Sequence, residues 1–348
     1  MESAPSPVTY AAAGVDITAG DEAVDRIKAA VASTTIPGVL GGIGGFGGLF
    51  ELDLARFSNP VLVAATDGVG TKIEIAKLTG RYDSIGIDLV AMCVDDLVCV
   101  GATPLFMLDY VAVESVDPSH IEAIVTGVAD GCRQAGCALL GGEIAEHGGL
   151  MHAGDFDVAG FAVGVVSKGT ELGPDRVEPG DVLIGLHSPG LRSNGYTLAR
   201  HVLLERAGLD LGEQIDDETT LADELLRPSV IYAPGVLEAK SASAGGLHAA
   251  AHITGGGLAG NLFRALPATA RAVVDLSDVE VPSIFGVIER LGPVEPDEMA
   301  RVFNLGIGMV LAVAPTSAQV VMAALEAHGV TAQQIGHVEE GERGVVVR

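Results

Sequence analysis

The run Val61-Leu62-Val63-Ala64-Ala65 leads directly into Thr66-Asp67-Gly68-Val69-Gly70-Thr71-Lys72. A compact β-branched run ending in Thr-Asp-Gly reads as a buried strand that delivers a carboxylate into a turn. Downstream, Ser84 is placed to cap a long apolar helix that ends near Gly101. Residues 105–113 then read as strand, 118–135 as helix with Pro118 near its start, 137–140 as strand and 158–166 as a further strand. Strand and helix alternate, so the first half has an α/β layout.

Upstream, Val24, Ile27, Ala30 and Val31 recur at helical spacing over 21–33, and Pro37-Gly38 and the run Gly41-Gly42-Ile43-Gly44-Gly45-Phe46-Gly47-Gly48 end that pattern. The polar stretch 168–179, with Gly173-Pro174 and Pro179-Gly180, marks a boundary, giving domains 1–168 and 169–348. The second half reads as helix 195–207, an acidic loop at Asp216-Asp217-Glu218, helices to about Ala242, and helix 254–266. Strands near Val273, 303–313 and 334–338 enclose helices 284–290 and 317–328.

The 348 residues are 48% apolar with 19% charged side chains, which is the opposite of a disordered composition. A net charge of −26 repels phosphate backbones and 4% aromatics offer little stacking surface, so no nucleic-acid partner is expected. Residues 1–10 lack a basic and apolar leader pattern, and Asp88, Asp95 and Asp96 break the longest apolar run, so neither signal peptide nor membrane span is expected. Cys93, Cys99, Cys132 and Cys137 form no C-x-x-C pair and read as reduced structural thiols of a cytoplasmic protein. His248 and His252, one helical turn apart, lack a third ligand for zinc.

Several segments are candidates for chemistry. Gly42-x-Gly44-x-x-Gly47 matches a dinucleotide fingerprint only formally, since no strand precedes it and no helix follows; it reads either as a loop covering an anion or as a plain surface linker. Thr66 to Lys72 is no Walker A loop, yet it groups an acid, glycines and a lysine. Asp67 could hold magnesium while Lys72 offsets phosphate charge, or the segment is an Asx-turn with a solvated lysine. Asp88 and Asp95 fall on almost the same face of an apolar helix with Asp96 one step round. With few basic residues nearby in sequence, a bound cation is a better compensator than a salt bridge, the alternative being capping or pairing. Asp109 at its strand end could join such a cluster. Gly141-Gly142-Glu143 follows a strand and reads as a loop, while Ser193-Asn194-Gly195 and Thr254-Gly255-Gly256-Gly257 each open a helix whose free amides attract anions or simply need capping.

Taken together, Tyr10-Ala11-Ala12-Ala13-Gly14-Val15-Asp16-Ile17, Gly44 to Gly47, Thr66 to Lys72, Gly86 to Val94, Gly141-Gly142-Glu143, Ser193-Asn194-Gly195-Tyr196, His252 to Gly257 and Phe303 to Met309 resemble the aminoimidazole ribonucleotide (AIR) synthetase family, the phosphoribosylformylglycinamidine cyclo-ligases, over nearly the whole chain. The resemblance implies a two-domain α/β fold. The N-terminal domain would contribute strands to a β-barrel shared across a homodimer, and the C-terminal domain would be a mixed α/β sandwich. It implies ATP- and Mg2+-dependent closure of formylglycinamidine ribonucleotide to AIR, with release of ADP and phosphate.

Carried over residue by residue, Asp67 and Asp96 would bind magnesium with Asp88 as a helper, and Lys72 and Lys28 would neutralise phosphate. Gly44, Gly45, Phe46 and Gly47 would form a lid, and Glu143 would touch the nucleotide. Arg192, Ser193, Asn194, Thr254, Gly255 and Gly256 would face substrate. His252 would be the acid–base group, with a core histidine as the plainer reading. Ile144, Gly148 and Arg192 depart from the family pattern, where threonine, proline and histidine are usual; Arg192 can bind phosphate but cannot shuttle protons. A thiamine-monophosphate kinase-like enzyme, or a non-catalytic nucleotide-binding homologue, is the alternative. A selenophosphate synthetase is disfavoured because the first cysteine is Cys93.

Overall fold

A computed structural model describes residues 9–10, 14–215 and 219–348; part of the Tyr10 to Ile17 motif and the Asp216-Asp217-Glu218 loop lie outside the described residues. Helix α1 (Ile17–Ala32) begins where the Asp16 carboxylate accepts the amides of Thr18 and Ala19, and it buries Ala23, Ile27 and Val31 along one stripe. A short ribbon, β1 (Val39–Leu40) and β2 (Leu49–Phe50), brackets the glycine segment. Next come β3 (Pro60–Gly68), α2 (Ile73–Thr79), α3 (Asp83–Cys99), β4 (Thr103–Val113), α4 (Pro118–Ala135), β5 (Ala138–Glu146) and β6 (Phe156–Ser167).

The last four strands form a sheet in the order β3-β6-β4-β5, antiparallel except for β4–β5. Helices α3 and α4 pack closely, since a Cβ on Gly86 would collide with the Val128 amide and one on Gly127 with the Asp83 carbonyl. The buried side chains of α3 reach β3 and β6 on one sheet face. On the other face Leu62 is 64% and Phe161 46% exposed. Residues 61–65 are therefore not a buried strand: β3 is an edge strand with little over its outer face.

The second half supplies β7 (Val182–His187), α5 (Tyr196–Arg200), α6 (Leu221–Leu225), α7 (Ala233–Ala242), β8 (Leu247–His252) and α8 (Gly257–Leu262). It continues with β9 (Ala270–Val274), α9 (Ser283–Leu291), α10 (Pro296–Val302), β10 (Ile307–Val313), α11 (Ala318–Ala327), β11 (Ala332–Glu340) and β12 (Gly344–Val347). Its sheet runs β12-β9-β11-β7-β10-β8, antiparallel except for β12–β9. Strand β10 is buried throughout, as its unbroken apolar run requires. The molecule is a mixed α/β protein of two domains, and one apolar core runs through both because α3 also touches α7 and β8.

Four local expectations are corrected. Gly141-Gly142-Glu143 lies inside β5 rather than in a loop, and Gly142 is there because a Cβ would strike the Asp109 carboxylate on neighbouring β4. Ser84 does not cap α3; it sits in the first turn with a buried, unpartnered hydroxyl. Residues 195–207 divide into α5 and a π-helical turn, His201–Arg206. His248 and His252 stand on strand β8 rather than at helical spacing, in an alanine-rich stretch of poor strand propensity. All four cysteines are free thiols, and burial pushes Cys93 up to about 12, which leaves it inert. Among the described residues no helix is long and apolar enough to cross a membrane.

Candidate functional site between the two domains

Helix α3 sets the site through three carboxylates, two on a buried face and one turned toward solvent. Asp88 and Asp95 are fully buried and face the second domain, whereas the Asp96 side chain is 47% exposed. The two buried acids are compensated by basic side chains and not by a cation, which corrects the expectation drawn from local sequence. Lys72 Nζ lies 2.5 Å from Asp88 Oδ2 and donates to the carbonyls of Arg227 (2.8 Å) and Arg192 (3.2 Å). Asp88 Oδ1 accepts the Ser229 amide (2.8 Å) and hydroxyl (2.6 Å). Burial pulls the Lys72 ammonium below the usual lysine range, and Asp88 opposes that pull. Lys72 and Asp88 thus form a closed pair inside the protein, so Lys72 is not the solvated lysine that its glycine-flanked position suggests.

Arg192 is equally closed in. Its Nη2 donates to Asp95 Oδ2 at 2.8 Å and lies 3.0 Å from His252 Nε2, Nη1 donates to the Val230 carbonyl at 2.8 Å, and the guanidinium stacks over Tyr232. The residue is 2% exposed, so it is not an open phosphate contact. The Tyr232 amide donates to Asp95 Oδ1, completing that carboxylate's partners. Burial raises Asp95 above the usual carboxylate range while Arg192 opposes the rise.

On the open side, His252 Nδ1 meets Asp96 Oδ1 at 2.9 Å. Asp67, at the end of β3, accepts the Gly68 amide at 2.7 Å. Burial raises its carboxyl above the ordinary range, the Asp96 charge adds to the rise, and His252 opposes it. The fold therefore brings together Asp67, Asp96 and His252, which the sequence scatters over two domains. Two carboxylates near enough for their charges to repel are a donor set suited to a hard divalent cation. Among the described residues no group of three or more His, Cys, Asp and Glu side chains could hold a metal, so a cation here would need oxygens from its ligand or from water.

Two loops of the second domain border this corner. A Cβ on Gly70 would contact the Ser193 carbonyl, so the turn after Asp67 lies against the Ser193 loop, and Thr71 and Thr197 share a hydroxyl hydrogen bond of 3.0 Å. Ser193 has a buried hydroxyl with no partner. Asn194 Oδ1 accepts the Gly255 amide at 3.1 Å, tying the two loops together. The turn through Thr254, Gly255 and Gly256 is held by Asn261, whose amide donates to the carbonyls of Thr254, Gly255 and Gly257. The helices these loops open have five and six residues, too short for their termini to serve as anion sites by dipole alone.

A second group gathers elsewhere. Lys28, Thr34, Gly41, Gly42, Gly48 and Leu140 line a hollow of about 270 Å³ beneath the glycine segment. Lys28 is exposed and paired with Asp25 on the surface, Phe46 projects fully into solvent, and Glu143 is exposed on β5. A larger hollow of about 430 Å³, lined by Val281, Phe285, Pro296, Met299 and Leu305, contains none of the expected site residues. The residues that sequence reading missed are Ser229, Tyr232 and Asn261, each acting through a contact remote in sequence or internal to a loop, with no local signal.

Comparison with known proteins accords with this architecture. The family models "AIR synthase related protein, N-terminal domain" and "AIR synthase related protein, C-terminal domain" match residues 53–166 and 178–348. The phosphoribosylformylglycinamidine cyclo-ligase of Anaeromyxobacter dehalogenans strain 2CP-1 is 50% identical over 337 residues, 97% of each chain, as is that of Anaeromyxobacter sp. strain K. Among solved structures, a thiamine-monophosphate kinase from Stenotrophomonas maltophilia K279a has TM-score 0.68 at 22% identity, covering 94% of this chain and 95% of its own. The hydrogenase maturation protein HypE in complex with ATP has TM-score 0.64 at 20% identity, covering 93% and 90%. Those two likenesses concern the fold; the full-length match at half identity, with both domain models in order, places this chain in the AIR synthase family, among the phosphoribosylformylglycinamidine cyclo-ligases.

Proposed function

We propose that the protein is an ATP-dependent cyclo-ligase of purine biosynthesis that closes formylglycinamidine ribonucleotide to AIR, releasing ADP and phosphate. The observation that carries this reading is the 50% identity across 97% of the chain to enzymes of that name. A thiamine-monophosphate kinase activity has only fold likeness at 22% identity behind it.

ATP would supply the phosphoryl group that makes the formyl oxygen a leaving group, and magnesium would neutralise its phosphates. Asp67 and Asp96 would hold that magnesium, and their crowding supports this assignment. The unpartnered Ser193 hydroxyl and the Asn194 amide would orient the substrate beside them. Thr254, Gly255 and Gly256 would border the same substrate, held by Asn261. Lys28 and the glycine segment would meet the nucleotide over their hollow, and Glu143, exposed farther along β5, would touch it as well. Both ring nitrogens of His252 are engaged, which favours an orienting role over proton shuttling.

The open outer face of β3 and β6 supports a homodimer, in which a second copy covers Leu62 and Phe161 and the paired sheets form one barrel. The two sheets on either side of residue 168 support a division there into nucleotide and substrate domains. Four unpaired thiols support a cytoplasmic location.

The test is ADP release with magnesium-ATP, with and without formylglycinamidine ribonucleotide, while AIR is assayed directly. Substrate-dependent ADP with matching AIR is expected. ATP binding by folded protein with no AIR formed would overturn the assignment.

A further inference from the structure

We propose that Arg192 is a positioning residue: by donating to His252 Nε2 it fixes the ring with its proton on Nδ1, and His252 in turn holds the Asp96 carboxylate toward Asp67. The geometry leaves little choice. A guanidinium nitrogen donates and cannot accept, so the 3.0 Å contact between Arg192 Nη2 and His252 Nε2 requires a bare Nε2. The ring proton then resides on Nδ1, where Asp96 Oδ1 stands 2.9 Å away to receive it. The two hydrogens of Nη2 are fully used, one on His252 and one on Asp95 Oδ2. Arg192 cannot drift, because Nη1 is held by the Val230 carbonyl and the plane rests on Tyr232. His252 itself is buried on β8, so its orientation is set by these two hydrogen bonds.

The result is a chain running from a buried cation to an exposed carboxylate oxygen. Asp96 Oδ1 is occupied by the imidazole, and Oδ2 has no hydrogen-bond partner among the described residues. An imidazole that donates to a carboxylate fixes that carboxylate's orientation, the outer-shell device by which proteins aim a metal ligand. Arginine suits the role because it can only donate. A histidine at 192 could also accept, and the direction of the whole chain would then be undetermined.

This inference rests on the reading of Asp96 as a magnesium ligand, and its test separates the two. Full-length protein labelled with 15N-histidine is examined by long-range 1H–15N correlation at neutral pH, with His252→Gln identifying the ring signals. The expected spectrum has a protonated Nδ1 and a bare Nε2 in the unaltered protein; an Nε2–H ring or a doubly protonated ring overturns the proposal. Arg192→Met combined with Asp95→Asn removes both buried charges together while leaving an acceptor for the Tyr232 amide. In that variant the ring signals are expected to lose the single Nδ1–H form, and the magnesium concentration for half-maximal turnover to rise about tenfold or more. An unchanged magnesium requirement overturns the positioning role. Asp96→Asn tests the underlying reading: if it leaves the magnesium requirement unaltered, Asp96 is no ligand, whatever tautomer His252 shows.

Discussion

Lys72→Met distinguishes a buried structural lysine from a phosphate-binding one. In the folded chain both Lys72 and Asp88 are 0% exposed, and the ammonium also satisfies two carbonyl oxygens. Removing one partner of a buried ion pair costs about 3–5 kcal/mol because the other charge is stranded. Asp88 would keep the Ser229 amide and hydroxyl, so the low end applies, about 3 kcal/mol. Spread over halves of this size, that lowers the unfolding midpoint by roughly 6–12 °C. Lys72→Met with Asp88→Asn should recover most of the loss, since an amide oxygen still accepts from Ser229. Calorimetry of the three proteins, alongside the KM for ATP in variants still folded at assay temperature, decides the matter. A raised ATP KM with an unchanged midpoint would refute the argument and return Lys72 to the nucleotide.

Asp67→Asn should raise the magnesium requirement about tenfold or more while the midpoint stays put, because an amide oxygen still accepts the Gly68 amide; magnesium titrations of turnover check it. Burial pushes Asp109 up to about 7, so the folded chain holds its proton more tightly than the unfolded one. Stability should fall as pH rises from about 4 to 7, and Asp109→Asn should gain on the order of 4 kcal/mol at pH 8 with the gain fading toward pH 4. Urea unfolding at both pH values reads this, and an equal gain at each would exclude a titrating carboxyl. Leu62→Asp should yield a monomer in analytical ultracentrifugation, as a charge there faces the proposed partner; a surviving dimer would place the interface elsewhere.

Local signals were legible where local physics fixes them. Helix α4 spans the residues read from sequence, since Asp117 caps it, Pro118 opens it and Gly136 closes it in a left-handed turn. Strand β8 escaped because its alanines carry neither alternation nor β-branching. Asp88 and Asp95 share a buried face of α3 with Asp96 turned aside, as their spacing predicts, but their partners were not foreseen, because Arg192 lies 97 positions from Asp95. The burial of Lys72 was hidden for a related reason: a lysine beside glycines looks solvent-facing until the second domain's carbonyls close over it. The motifs at Thr66 to Lys72, Ser193 to Gly195 and His252 to Gly257 marked the open corner because the fold converges those three turns on it, whereas Gly86 to Val94 and Gly141-Gly142-Glu143 lie on α3 and β5.

The polar ties of α3 have a bearing on how this chain can be recombined. Asp88, Asp95 and Asp96 find Ser229, Arg192 with the Tyr232 amide, and His252, all on the far side of residue 168. A chimera that grafts a relative's second half onto residues 1–168 therefore inherits obligations at positions 192, 229 and 252, and a donor that fails to meet them leaves carboxylates stranded in its seam. Inheritance of the two halves is coupled through one helix, so exchange between homologues should succeed by matching those three positions before overall identity.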